Sequence, residues 1–187
     1  NSYFHRNEGD GIAVRDGVPM LDGVVSHSNT DDGLDFKETG GAKVVNSIIR
    51  SNDSDGAFID CDNNKQSPLT IHSSVVYGNG LNGLQSDCSR TAKTITVRNT
   101  AIVQNSSWGV RRARNNQLSF TVEYSDVWGN RNDFSGTVST SQNLSARPLF
   151  KNPPSDLDLQ STSLLIDAGT KTGAPDHDID GKKRPFD

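Results

Sequence analysis

The sequence predicts an all-β protein, a parallel β-helix of about six coils, because a short motif recurs along the chain at a nearly constant spacing. Each copy has an Asn, three variable residues, a Gly and then an apolar residue. The copies are Asn7/Gly11/Ile12, Asn29/Gly33/Leu34, Asn52/Gly56/Ala57, Asn79/Gly83/Leu84, Asn105/Gly109/Val110 and, in degenerate form, Asn130/Phe134. Successive asparagines are 22, 23, 27, 26 and 25 residues apart. Such a period, with short β-type segments and no helical periodicity, is typical of a solenoid in which each repeat forms one coil.

Apolar residues at fixed distances from each Asn predict which side chains face the interior. The position eight residues before the Asn holds Leu21, Val44, Ile71, Val97 and Val122, and the position three before it holds Phe4, Ile49, Val76, Ile102 and Val127. Ser26 is the polar exception in the second column. Because side chains alternate along a strand, the neighbours of these positions face solvent. The asparagines should stack about 4.8 Å apart and bond through their amides, while the Gly permits a tight corner.

The composition fits one elongated domain and argues against several classes of partner. The 187 residues are 32% hydrophobic and 6% aromatic, which is little for a globular core but enough for coils that each bury a thin strip. A net charge of -4 argues against nucleic acid as a partner. No apolar segment is long enough for membrane insertion. We expect a monomer, and because Asn1 already lies inside a repeat, we expect a piece of a longer protein.

Acidic residues cluster at the corners of the first three coils. Each of these coils has an Asp directly before its motif Gly, and the second coil carries two more beside it. These residues are Asp10, Asp31, Asp32, Asp35 and Asp55. Because carboxylates a few Å apart repel one another and calcium takes oxygen ligands, the cluster predicts a calcium site, to which the carbonyl of Phe36 also contributes. The alternative is that these aspartates are solvated turn residues.

The segment Asp31-Asp32-Gly33-Leu34-Asp35, with Asp10 one coil earlier, resembles the calcium site of the family 9 polysaccharide lyases, which are pectate lyases with a right-handed parallel β-helix. The resemblance covers residues 1 to about 135 as a fold and about 10 to 60 as a site. It implies that Asp10, Asp31, Asp32 and Asp35 bind calcium, which bridges to a galacturonate carboxylate. In the family, a lysine on the next coil, two residues past the Gly, removes the C5 proton. Here that position holds Phe58.

A different residue must supply the base if this protein is a lyase. β-Elimination needs a neutralised uronate carboxylate and a base within hydrogen-bond reach of the C5 proton. Lys37 lies outward on the same predicted strand as Asp35, and Arg15 has the matching position one coil earlier. We therefore predict Lys37 and Arg15 as candidate catalytic residues. Alternatively, both hold a substrate carboxylate or balance the acidic cluster.

Further cationic and aromatic residues predict contacts with an anionic polymer. The column two residues before each Asn faces outward and holds His5, His27, Arg50, Tyr77, Val103 and Trp128. This composition suits stacking on sugar rings and pairing with uronate carboxylates. We predict His27 and Arg50 as substrate-binding residues, together with Arg111 from the strongest basic run of the chain. The alternative is a variable solvent-facing surface.

The two cysteines should lie on neighbouring coils. Cys61 and Cys88 are 27 residues apart, as are the glycines that precede them, Gly56 and Gly83. Stacking at the coil spacing allows either a disulfide or a pair of thiols.

The motif ends after Asn130, so we divide the single domain into β-helix coils at residues 1-136 and a capping segment at 137-187. The segments Arg147-Pro148-Leu149-Phe150 and Ser163-Leu164-Leu165-Ile166-Asp167-Ala168-Gly169 resemble the tail that closes many secreted bacterial β-helix proteins. They predict an irregular C-terminal cap over an open coil edge, which would otherwise recruit another strand.

These features predict a secreted or cell-surface right-handed β-helix that binds an acidic polysaccharide through calcium. The predicted reaction is β-elimination on a uronate polymer such as pectate. A non-catalytic carbohydrate-binding or adhesin module of the same fold is the alternative that Phe58 favours. A uronate epimerase is a third alternative, because a fold does not decide a function.

Overall fold

The computed structural model describes residues 1-37, 39, 41-60, 69-88, 94-113 and 119-184. Within these residues the chain forms three parallel sheets of six strands each, and every coil contributes one strand to each sheet. This architecture confirms the predicted all-β solenoid, and a short antiparallel pair follows it.

In each coil, the strand of the first sheet comes before the motif Asn and the strand of the second sheet comes after the motif Gly. The strand of the third sheet completes the coil. The first sheet contains β1 (Ser2–His5), β4 (Val24–His27), β7 (Ile48–Arg50), β10 (Val75–Tyr77), β13 (Ala101–Val103) and β16 (Asp126–Trp128). The second contains β2 (Ile12–Arg15), β5 (Leu34–Lys37), β8 (Ala57–Asp60), β11 (Leu84–Asp87), β14 (Trp108–Arg112) and β17 (Asn132–Ser135). The third contains β3 (Met20–Asp22), β6 (Lys43–Val45), β9 (Leu69–His72), β12 (Thr94–Arg98), β15 (Ser119–Glu123) and β18 (Val138–Ser141).

The interior contains the two columns of apolar side chains that the spacing predicts. Val44, Ile71, Val97 and Val122 are fully buried eight residues before their asparagines, and Ile49, Val76, Ile102 and Val127 are buried three residues before them. The exception, Ser26, is also fully buried. Its hydroxyl donates to the carbonyl oxygen of Gly33 at 2.8 Å and accepts from Asn29 Nδ2 at 3.1 Å. The polar residue is tolerated there because both of its hydrogen-bonding functions are satisfied.

The motif asparagines form a continuous hydrogen-bonded ladder through the buried corner. Each Nδ2 donates to the Oδ1 of the next Asn at 2.8 to 3.0 Å, from Asn7 to Asn130. The same Oδ1 accepts the backbone N–H of the preceding Asn at 2.9 to 3.2 Å. The motif needs a Gly because the backbones of neighbouring coils lie close together at this corner. A Cβ at Gly33 would lie 2.6 Å from the carbonyl oxygen of Gly56 on the next coil. The ladder therefore fixes the register of every coil on the next.

The C-terminal segment lies along the flank of the solenoid. Its antiparallel pair, β19 (Phe150–Asn152) and β20 (Asp156–Leu159), packs on the first sheet, where the rings of Phe150 and Tyr77 meet edge to face. Farther on, the carbonyl oxygen of Thr170 accepts Asn99 Nδ2 at 2.7 Å, and the backbone N–H of Thr170 donates to Asn99 Oδ1 at 2.9 Å. The irregular segment was predicted, and its path back along the coils is an additional finding.

Farther along this path, the segment reaches the early coils. Arg184 Nη2 donates to Asn46 Oδ1 at 2.8 Å, and His177 Nε2 lies 3.4 Å from an Asp22 carboxylate oxygen. Within the part of the chain that the structure describes, no helix has the length and hydropathy that crossing a bilayer requires.

Asp126 is a buried acid under the C-terminal segment, beside a cavity of about 550 Å³. Its side chain is 3% exposed, and Oδ1 accepts the backbone N–H of Ala146 at 2.9 Å. Its Oδ2 is buried without a hydrogen-bond partner among the described residues. Burial raises the pKa of Asp126 to about 6, and the charge of Asp133 adds to this effect.

We expect Asn79→Ala to destabilise the protein by about 2 to 4 kcal/mol, because it removes the Oδ1 that accepts both the buried backbone N–H and Nδ2 of Asn52, and one of the two bonds to Asn105 Oδ1. Asn7→Ala is the matched control. Asn7 is exposed at the end of the ladder, so its loss should cost about 1 kcal/mol or less. Urea denaturation of both variants measures the difference, and equal costs would contradict a cooperative ladder.

We expect Asp126→Asn to be more stable than the parent protein at about pH 8, by about 1 to 2 kcal/mol, and nearly equal at about pH 4. In the folded state the Asp126 carboxyl keeps its proton up to a pKa of about 6, whereas in the unfolded state it loses the proton near the ordinary pKa of 3.8. Ionisation of Asp126 therefore lowers the free energy of unfolding as pH rises between these values, and it has no further effect above them.

Urea denaturation across this pH range measures the effect. Asp167→Asn, at an exposed position, is the control for loss of one carboxylate. The same pH dependence in both variants would exclude Asp126 as the source.

Candidate metal centre

The predicted column of corner acids is present and has a structural role that the sequence did not reveal. Asp10 Oδ1 accepts the backbone N–H of Asp32 at 3.2 Å, and Asp32 Oδ1 accepts that of Asp55 at 2.8 Å. Asp55 Oδ1 in turn accepts the backbone N–H and Nδ2 of Asn82, both at 2.8 Å. Each side chain thus binds the corner of the next coil. The presence of Asn82 in the same column was the available signal, since an amide oxygen accepts this bond equally well.

Three of the predicted ligands converge at one corner. Asp10, Asp31 and Asp32 each place a carboxylate oxygen within 4.8 Å of the other two. Asp32 is buried, Asp10 is partly buried and Asp31 is exposed, so the cluster opens to solvent on one side. Oxygen atoms at this separation can share one cation of the size of calcium, which binds oxygen at about 2.3 to 2.6 Å.

Asp35 adjoins this cluster and supplies an unpaired oxygen. Its side chain lies on β5 and is 7% exposed. Oδ2 lies 2.6 Å from Arg15 Nη2, which is also 3.9 Å from an Asp10 oxygen. Oδ1 is buried and has no hydrogen-bond partner among the described residues. A buried carboxylate oxygen without a partner is costly, and a bound cation would satisfy it.

Phe36, the remaining predicted ligand, follows Asp35 on β5. Its ring is fully buried in the core. Any contribution of Phe36 to the site therefore comes from its backbone carbonyl.

The electrostatics of the corner favour a cation. Burial, with a smaller contribution from the charges of Asp55 and Asp31, raises the pKa of Asp32 to about 7, against the hydrogen bonds from the Asp55 backbone and the Ser54 side chain. Burial also raises the pKa of Asp10, with Asp35 and Asp31 adding to the effect and Arg15 opposing it. The pKa of Asp55 is raised mainly by burial. The donor set consists of oxygen atoms, which suits a hard divalent cation such as calcium.

The two candidate catalytic residues lie next to each other in the outer face of the second sheet. Arg15 and Lys37 are register partners on β2 and β5. Arg15 forms an ion pair with Asp35, while Lys37 Nζ lies 3.5 Å from Oδ2 of Asp60 on the next coil. Phe58 is the register partner of Asp35, so the position at which the family resemblance implies a lysine is indeed on the adjacent coil.

The predicted substrate-binding residues divide between two faces. Arg111 lies in the same outward column as Asp35 and donates to Gln85 Oε1 at 2.9 Å. His27 and Arg50 are register partners on the first sheet, where the rings of His5 and His27 stack at 4.9 Å. The C-terminal segment packs over the later members of that column, Tyr77, Val103 and Trp128. This predicted column is therefore open only in its first half.

Of the two cysteines, only Cys88 is described. It is buried and disulfide-bonded. Cys61 lies outside the described residues.

The chain is similar to known β-helix proteins in sequence family and in fold. A family model described as "Right handed beta helix region" matches residues 1–147. The chain belongs to this family. Among solved structures, the right-handed β-helix resembles the crystal structure of pectate lyase Pel9A, with a TM-score of 0.52 over 98% of this chain and 70% of that chain. The two sequences are 15% identical, so the likeness concerns the fold. No curated protein sequence matches the chain.

We expect calcium to stabilise the β-helix against heat, by about 2.7 kcal/mol at a concentration one hundred times its Kd, and chelator to reverse the effect. Asp31→Asn should weaken calcium binding at least about tenfold, because it removes one anionic ligand from an exposed position where the fold tolerates the change.

Asp53→Asn is the matched control, since Asp53 is exposed one coil away and lies outside the group of three converging carboxylates. Calorimetric titration with calcium measures both variants. Equal affinities for the two would remove Asp31 from the site.

Proposed function

We propose that this protein binds an acidic polysaccharide of the uronate class, such as pectate, through calcium at Asp10, Asp31, Asp32 and Asp35. The observation that carries the proposal is the buried, unpaired Oδ1 of Asp35 beside three converging carboxylates. A uronate polymer and an acidic corner repel each other directly, so a divalent cation between them is required for binding. The likeness of the fold to a pectate lyase agrees with this substrate class.

We further propose that the bound polymer is cleaved by β-elimination, with Lys37 as the base. Calcium held by these four carboxylates would neutralise the uronate carboxylate and so make the C5 proton more acidic. The Lys37 amine accepts that proton, the C5–H electrons form a double bond between C4 and C5, and the bond from C4 to the glycosidic oxygen breaks. The released oxygen takes a proton from water. Arg15 orients Asp35 through the 2.6 Å ion pair and so holds the corner in shape.

The position of Lys37 supports this role. The side chain is 48% exposed and stands on the same outward face as Asp35, two residues farther along β5. A polymer lying over the corner would therefore contact its amine, and general-base catalysis requires such contact.

A non-catalytic binding module is the second candidate, and one observation favours it. Phe58 is in register with Asp35, on the coil where the resemblance implies the catalytic lysine. Lys37, the replacement, also lies 3.5 Å from the Asp60 carboxylate. In this alternative the calcium corner and the polymer contact remain, and the protein retains an acidic polysaccharide without cutting it. Either function places the protein where such polymers occur, outside the cell or on its surface.

We expect polygalacturonate incubated with the protein and calcium to gain ultraviolet absorbance from unsaturated sugar ends, and chelator to abolish the gain. Lys37→Ala should lower the rate by at least about a hundredfold, the usual contribution of a general base, while leaving calcium affinity unchanged. Lys43→Ala, which changes an exposed lysine on the third sheet, is the control.

A flat absorbance trace for the parent protein, with calcium-dependent binding of the polymer intact, would reject the lyase and leave the binding module. Absence of polymer binding with calcium present would reject both functions.

A further inference from the structure

The outward column of the second sheet continues beyond the candidate metal centre in a fixed order. Asp35, Phe58, Gln85 and Arg111 are successive register partners on β5, β8, β11 and β14. The column runs parallel to the solenoid axis, with one residue for each coil. Three coil spacings, about 14 Å, separate Asp35 from Arg111.

Phe58 faces outward on β8, between two residues whose side chains belong to the core. Ala57 and Ile59 on either side of it are fully buried, whereas Phe58 is only partly buried. Its neighbours in the column are the polar residues Asp35 and Gln85. An aromatic ring that is open to solvent between polar side chains offers a flat apolar surface, which is the surface on which a sugar ring stacks.

Arg111 is oriented by a chain of hydrogen bonds that begins at the acidic corner. Asn82 donates to Asp55 Oδ1 at 2.8 Å and to Gln85 Oε1 at 2.9 Å. Arg111 Nη1 donates to the same Gln85 oxygen at 2.9 Å. A guanidinium has five N–H donors in a planar fork, so this single bond positions the group while leaving donors for a carboxylate.

We propose that Asp35, Phe58, Gln85 and Arg111 form a track for the uronate polymer, parallel to the solenoid axis. Phe58 stacks on a sugar ring next to the calcium-bound unit, and Arg111 binds the carboxylate of a unit farther along. A column with one residue per coil, at a spacing of about 4.8 Å, offers an extended polymer a regular series of contacts along the axis. This inference rests on the proposed function, because the calcium corner anchors one end of the chain.

The proposed track explains what Phe58 does at this position. The residue occupies the position at which a lyase of the resembling family carries its base, and a phenyl ring performs no proton transfer. Stacking on the substrate is a function that this side chain can perform there, and it serves a binding module and a lyase equally well.

The test compares binding of a galacturonate disaccharide and a hexasaccharide in calcium by calorimetry. The parent protein should bind the hexasaccharide more tightly, because only the longer ligand reaches Arg111. Arg111→Gln should weaken hexasaccharide binding about fivefold and leave disaccharide binding unchanged. Phe58→Leu, which keeps an apolar side chain, should also weaken hexasaccharide binding by about fivefold.

Arg147→Gln is the matched control, since it removes the same charge from an exposed position in the C-terminal segment. Thermal melting in calcium confirms that each variant is folded. If Arg111→Gln and Arg147→Gln bind the hexasaccharide equally, or if Arg111→Gln weakens both ligands by the same factor, the track is wrong although calcium-dependent binding stands. If the parent protein binds neither ligand in calcium, the proposed function fails and the track fails with it.

Discussion

The buried asparagine ladder is the interaction on which the rest of this structure depends. Each ladder Asn before Asn130 donates its amide to the Asn of the next coil, which is possible only when the coils stack in register. Because a Gly follows each of the first five asparagines by four residues, stacking the asparagines also stacks the corners between them. The ladder therefore also sets the register of the acidic column. A shift of one residue in the pairing of neighbouring coils would separate the carboxylates of the candidate metal centre.

The corner acids have a structural role in addition to the proposed metal site, and comparison within the column separates the two. Asn82 makes the same bond to the next coil, through Trp108, that Asp10, Asp32 and Asp55 make to theirs. A neutral amide is thus sufficient for the structural role. Carboxylates at the first three corners impose a cost, which is visible in the pKa of about 7 for Asp32. A bound cation would offset that cost, which is the physical argument for the proposed metal site.

The periodic part of the sequence predicted the fold and the convergence of Asp10, Asp31 and Asp32, because a fixed spacing between Asn and Gly dictates which residues stack. It did not predict the pairing of Arg15 with Asp35, since the period fixes where a long side chain starts but not which neighbour it reaches. The path of the C-terminal segment was also beyond prediction. Its contacts with Asn99, Asn46 and Asp22 join a non-repeating sequence to distant coils, and such contacts leave no periodic signal.

That path decides which face remains for a ligand. The first and second sheets flank the asparagine corner, and on the first sheet the aromatic column is covered by Phe150 and its neighbours from Tyr77 onward. The second sheet keeps Arg15 and Lys37 about half exposed beside the acidic corner. The described part of the C-terminal segment would obstruct a rigid polymer along the first sheet, so we propose that a polymer engaging the corner extends along the second sheet. In this proposal, the same segment that lies along the flank of the solenoid would direct an elongated ligand to the face that carries Phe58 and Arg111.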